Sequence, residues 1–265
     1  MDINSILGYI RALIVGLVLG LIGGGGSILT VPVLVYLIGI NPVTATAYSL
    51  FVVGITSTFG TIQNFKAKLV DIRIAIIFSL PALIAVYITR RFIVPAIPDV
   101  VLSFDAFQIS KNTFIMVFFA IIMLLASISM IKKRKVKQTP LGVKTYNYLL
   151  IGIEGIVVGL LTGLVGAGGG FLIIPALVIL TKLPMKKAIG TSLLIIATKS
   201  LIGFLGDLHN LSIDWWFLII FTSLSIVGII IGVYLSKFIS SKKLKSGFGW
   251  FTLVMSFYII YKELF

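Results

Sequence analysis

Two glycine clusters are the places where main-chain atoms are best placed to do chemistry. Gly23, Gly24, Gly25 and Gly26 run directly into Ser27, and Gly166, Gly168, Gly169 and Gly170 form a second set. A glycine run is a poor helix interior, so each cluster reads as a turn from which a new helix departs. The first N–H groups of such a helix lack intrahelical acceptors and carry partial positive charge, and anions bind there readily. Lys199 lies in Ala197-Thr198-Lys199-Ser200, within an otherwise apolar stretch, and would add a full positive charge. A lysine at the centre of a bilayer costs about 2.5–3.5 kcal/mol on insertion scales, so a reason for it is expected. Snorkelling to an interface is the alternative. Ser27, Ser49, Thr191 and Ser192 offer hydroxyls to the same site, although serine and threonine often bond back to their own helix. Glu154 and Arg11 are further charges inside apolar segments, and Glu154 is a possible ion-pair partner for Lys199. The chemistry on offer is reversible binding of a small anion. GxxxxGK[ST], HExxH and GxSxG motifs are all absent, and no cluster of catalytic residues is visible. The reading is therefore not an enzyme, and nothing calls for a cofactor or a metal.

The elements that must position these residues are membrane helices. Of 265 residues, 59% are hydrophobic and 11% charged, too little charge for a water-soluble domain of this size. A formal charge of +14 is explained by basic loops that fix membrane orientation rather than by nucleic acid. About 20 apolar residues span a bilayer. Stretches near 44–63, 72–92, 112–131, 187–205, 213–236 and 246–263 meet that need. Two longer stretches, 6–40 and 147–182, are broken midway by the glycine clusters. Each reads as a helical hairpin whose second arm, about 27–40 or 170–182, is short for a full crossing and carries a proline, Pro32 or Pro175, near its start.

Basic residues gather in four clusters: Lys66/Lys68/Arg73, the run 132–144, Lys182/Lys186/Lys187, and 237–245. They are expected to share the cytoplasmic face. That condition requires 147–182 to enter and return on one side, and by analogy 6–40 does the same from outside. Both termini are then external. Trp215, Trp216 and Trp250 sit where interfacial aromatic anchors are expected.

Shifting the chain by 143 residues superposes Gly16, Gly20, Gly23, Gly25 and Gly26 on Gly159, Gly163, Gly166, Gly168 and Gly169. It also superposes Pro32 on Pro175, Ser49 on Ser192, Ser57 on Ser200 and Asp71 on Asp214. Over 16–71 against 159–214, 18 of 56 positions are identical. The expected organisation is a first transmembrane repeat over 1–131, a basic cytoplasmic loop over 132–146 and a second transmembrane repeat over 147–265. Each repeat is a glycine-broken hairpin plus three spans. Three is odd, so the fold class is an all-α polytopic membrane protein of two inverted-topology repeats, an arrangement used by secondary transporters.

The elements Gly-Leu-Val-Leu-Gly-Leu-Ile-Gly-Gly-Gly-Gly-Ser-Ile-Leu-Thr-Val-Pro (16–32) and Gly-Leu-Leu-Thr-Gly-Leu-Val-Gly-Ala-Gly-Gly-Gly-Phe-Leu-Ile-Ile-Pro (159–175) resemble the sulfite exporter TauE/SafE family. So do Ala-Ile-Gly-Thr-Ser-Leu (188–193) and Ile-Asp-Trp (213–215). The resemblance implies a duplicated helical membrane fold, transport of sulfite, sulfonates or related oxyanions, and the glycine elements as the substrate region. It carries no role for Lys199. The expected partners are a small anion, the lipid bilayer and a coupling proton or sodium ion, in a multi-pass protein of the cell membrane. A passive anion channel and a non-transporting membrane scaffold are the alternatives.

Overall fold

The computed structural model describes residues 3–22, 27–104, 107–131, 147–236, 238–239 and 241–264. Gly23–Gly26 and the basic loop 132–146 lie outside them. Among the described residues ten helices run in the order α1 (Ile3–Ile22), α2 (Ser27–Leu37), α3 (Pro42–Lys66), α4 (Ile72–Ala96), α5 (Lys111–Ile131), α6 (Tyr148–Val165), α7 (Gly170–Leu180), α8 (Met185–Asp207), α9 (Trp215–Leu235) and α10 (Ser241–Leu264). Among the described residues α3, α4, α5, α6, α8 and α9 are each long and apolar enough to cross a membrane. One feature lies outside the all-helical expectation: a small antiparallel hairpin, Val100–Phe104 with Phe107–Ser110, joins α4 to α5.

The helix starts follow local chemistry. Asn41 caps α3 by accepting from the Val43 N–H at 3.0 Å, with Pro42 in the first helical position. Asp71 caps α4 through the Ile74 N–H at 3.1 Å, and its repeat mate Asp214 caps α9 through the Phe217 N–H at 3.0 Å. The short arms α2 and α7 begin 143 residues apart and each ends at a left-handed residue, Gly39 or Lys182. Pro175 sits inside α7 rather than near its start. Pro32 is followed by a π-turn over Val33–Leu37, where the hydrogen-bond ladder has lost the proline N–H.

Packing partners are exchanged between the halves. Helix α1 lies along α9, and its counterpart α6 lies along α4. Glycines permit both approaches. A Cβ on Gly20 would come within 2.9 Å of the Gly232 Cα, and one on Gly159 within 2.6 Å of the Ala82 carbonyl oxygen. The GxxxG spacings are thus packing surfaces. Helices α3 and α8 form the central pair, the most enclosed of the six long helices. They run antiparallel, with Leu50 against Gly203, Leu201 against Gly54 and Leu193 against Gly60, so their midpoint falls near Thr56 and Lys199. Apolar cores on either side of this pair match position for position. Val15, Leu34, Ala45, Leu218 and Phe221 fill one; Val158, Leu177, Ala188, Ala75 and Phe78 fill the other.

The outer surface is apolar. Ile76, Leu80 and Ile84 form an exposed stripe on α4, while Ser27, Thr30, Ser57, Lys199 and Ser200 are completely buried. That inverted distribution belongs to a protein whose surroundings are hydrocarbon.

Candidate functional site

The second glycine cluster is a turn made of two left-handed residues. Gly166 ends α6 at φ +71°, with its N–H bonded to the Thr162 carbonyl at 2.8 Å, and Gly169 precedes α7 at φ +68°. Side-chain-bearing residues resist that backbone region. The turn is pressed onto the central helix pair. A Cβ on Gly166 would strike Thr46, and one on Gly168 would strike Val53 and come within 2.9 Å of Ile196. Val53 and Ile196 are repeat mates, so Gly168 sits where the two halves meet. Helix α7 then starts without any side-chain cap, leaving its first N–H groups to other partners.

Lys199 completes this turn. Its side chain is fully buried, and Nζ donates to Thr162 Oγ1 at 2.7 Å. The Thr162 hydroxyl in turn donates to the Val158 carbonyl at 2.7 Å, which leaves its lone pair to accept from the lysine. A Cβ on Gly169 would lie 2.7 Å from Nζ, so the ammonium rests against glycine backbone. Among the described residues no carboxylate is within ion-pair distance of it. An ammonium has three N–H donors, and among the described residues one is engaged, by Thr162. Lys199 therefore does not snorkel; it points inward at the middle of α8.

The first hairpin reaches the same place. Ser27, which follows Gly26, is fully buried, and its Cβ is 3.2 Å from where a Gly168 Cβ would stand. Thr30 Oγ1, one turn along, and Ser57 and Ser200 Oγ, one residue past the midpoint of each helix of the central pair, are buried without hydrogen-bond partners among the described residues. Lys199, Ser27 and the glycine turn therefore lie together, and Thr30, Ser57 and Ser200 are further buried hydroxyls on α2, α3 and α8.

The model of the sulfite exporter TauE/SafE family matches residues 9–259. The chain belongs to this family. Among TauE/SafE relatives, a "probable membrane transporter protein" of Xylella fastidiosa (strain 9a5c) is 29% identical over 257 residues, covering 94% of this chain and 92% of its own. The "probable membrane transporter protein YunE" of Bacillus subtilis (strain 168) is 30% identical over 233 residues, covering 78% of this chain and 79% of its own. No solved structure matches significantly. Membership makes the chain a multi-pass membrane protein of a transporter family rather than of an enzyme family.

The remaining residues singled out in this TauE/SafE chain fall into place as follows. Gly166, Gly168, Gly169, Gly170, Ser27 and Lys199 come together; Gly23, Gly24, Gly25 and Gly26 lie outside the described residues. The Ser49 hydroxyl is buried on α3 without a hydrogen-bond partner among the described residues. Ser192 donates to its own helix at the Ile189 carbonyl, 2.8 Å. Thr191 accepts the Asp71 N–H at 2.9 Å, and it is eight residues, about 12 Å of helix, from Lys199. Its repeat mate Tyr48 accepts the Asp214 N–H at 2.7 Å in the same way. Thr191 thus serves the junction between halves. Glu154 does not pair with Lys199. Arg11 donates to the Leu37 carbonyl at the end of α2, where positive charge suits the helix dipole.

Two features escaped the sequence reading. Thr162 holds the lysine, and its repeat mate is Leu19; a search for repeat positions that differ in polarity would have found it together with Lys199 and Thr56. Arg90 and Asp207 form a buried ion pair, Nη1 to Oδ2 at 3.5 Å, between residues distant in the chain.

Proposed function

We propose that this protein is a secondary transporter of small anions, with sulfite, sulfonates and related sulfur oxyanions as the substrate class, acting by alternating access around the Lys199 turn. The observation that carries the reading is a fully buried ammonium against glycine backbone with no carboxylate in ion-pair reach among the described residues. An unpaired buried charge is costly, and a bound anion is the counter-charge that removes the cost. Membership of a family described as sulfite exporters favours the sulfur oxyanions.

The exchange of helix partners between halves and the mirrored junctions at Thr191–Asp71 and Tyr48–Asp214 support two repeats of opposite orientation rocking about the central pair. In that cycle Ser27, the glycine turns and Lys199 bind the anion, while a proton or sodium gradient supplies the drive. The basic loops face the cytoplasm and both termini face outward.

Purified protein in liposomes tests the reading. Uptake of labelled sulfite, sulfate, a sulfonate and small carboxylates is measured with and without pH and sodium gradients. Saturable uptake of a sulfur oxyanion is expected. If folded protein moves none of them, the reading is lost; flux that never saturates would favour a channel.

A further inference from the structure

Arg90 is the largest fully buried side chain in the molecule's described part, and its surroundings are unusual. It lies in a π-turn, Thr89–Ile93, inserted near the end of α4. Such turns displace side chains from the helical register and recur at functional sites. The neighbouring helix gives way to it: a Cβ on Gly206 would be 2.9 Å from the Arg90 Cβ. None of Nε, Nη1 and Nη2 makes a hydrogen bond among the described residues, and Asp207 Oδ2 also lacks one. The 3.5 Å approach of Nη1 to Oδ2 is an ion pair without a hydrogen bond. A guanidinium carries five N–H donors in a planar fork that matches an oxyanion, and burying them unused is expensive.

The position matters as well. Asp207 closes α8, and the next three residues, Leu208, His209 and Asn210, are exposed. The pair therefore sits just beneath one face of the protein. It is eight residues of α8, about 12 Å, from Lys199. Arg91, partly buried, is the other cation on this π-turn, and α6 packs alongside through Gly163 and Thr89 with its one charged residue, Glu154, nine residues before that contact and in no ion pair among the described residues.

We infer that Arg90 is a second anion site on the route between this face and the Lys199 turn, with the Asp207 carboxylate occupying it when no substrate is bound. An entering sulfur oxyanion displaces Asp207, takes the guanidinium fork through two oxygens and passes on to Lys199. The same exchange restores the ion pair behind it, so Arg90 is never left bare. This rests on the transport reading above.

Three variants test it: Arg90→Lys, Asp207→Asn and the double Arg90→Gln/Asp207→Asn, each checked for folding by melting temperature in detergent. Uptake of sub-saturating sulfite is measured in liposomes. Arg90→Lys keeps the charge but not the fork, and the double variant removes both charges; each is expected to lower uptake at least about 10-fold, the loss of one charge-assisted hydrogen bond. Asp207→Asn removes the internal competitor, so half-saturation is expected at a lower sulfite concentration. A purely structural pair gives the opposite pattern. Neutralising both members would then be tolerated and uptake would return to the parent rate, whereas Asp207→Asn alone would be the damaging change. Either result overturns the inference. Parent liposomes that take up no anion would sink the transport reading instead; calorimetric titration of sulfite into the same detergent-solubilised variants then decides Arg90, with weaker binding by Arg90→Lys than by parent expected and equal binding refuting it.

Discussion

Lys199 and Thr162 make opposite demands on stability and function. The ammonium is buried with one hydrogen bond among the described residues, so replacing it with an apolar chain of similar length removes a desolvation cost. Lys199→Met is expected to melt no lower than the parent while binding anions at least about 10-fold more weakly, the value of a charge-assisted hydrogen bond. Thr162→Val acts the other way. It takes away the acceptor at 2.7 Å and leaves a buried N–H⁺ without a partner, costing about 1–3 kcal/mol. Its melting temperature should fall. Thermal melts and anion titrations of the two variants side by side check this. If Lys199→Met loses more stability than Thr162→Val, the lysine is a structural strut and its role in binding is lost.

At the scale of elements, the α6–α7 turn depends on left-handed glycine. Gly169 is at φ +68°, and a Cβ there would strike Thr162 and press on Lys199 Nζ. Gly169→Ala combines a backbone cost of about 1–2 kcal/mol with displacement of the ammonium, so it should lower both melting temperature and anion affinity. Gly152 is the control. It lies inside α6 with no atom within 4 Å of its would-be Cβ, and Gly152→Ala is expected to stabilise by about 0.5–1 kcal/mol with binding unchanged. Equal losses in the two variants would mean that the turn has no special geometry.

These elements were partly legible in the chain. Glycine and proline are strong local signals, so the broken α6–α7 hairpin could be read directly, whereas the Gly23–Gly26 break lies outside the described residues. The pairing of α1 with α9 and of α6 with α4 could not, because GxxxG marks a contact face without naming its partner. The π-turn at Thr89–Ile93 was invisible too. Thr-Arg-Arg-Phe-Ile carries no glycine or proline to mark a break, and the close approach of Gly206 to Arg90 comes from a segment distant in the chain. Arg90 and Asp207 lie far apart in sequence, and no local pattern links them. The Val100–Ser110 hairpin went unread between two strongly apolar helices.

At the scale of the whole molecule, the proposal that the two halves present the same helices in opposite directions is directly measurable, because the sequence has no cysteine. Helices α3 and α8 are repeat counterparts and run antiparallel through the centre. The end of α3 and the end of α8 must then open on opposite faces. Ala67, just past α3, and Asn210, just past α8, are both exposed, as is Asp99 before the β-hairpin. Because the parent chain has no cysteine, each can be replaced singly and probed in intact cells with a membrane-impermeant thiol reagent. If the basic clusters are cytoplasmic, Asp99→Cys and Asn210→Cys react from outside, whereas Ala67→Cys reacts only after permeabilisation. Labelling of all three from one side would place the ends of α3 and α8 together. The halves would then be parallel copies, Lys199 and the glycine turns would no longer face two sides alternately, and rocking about the central pair would cease to explain transport.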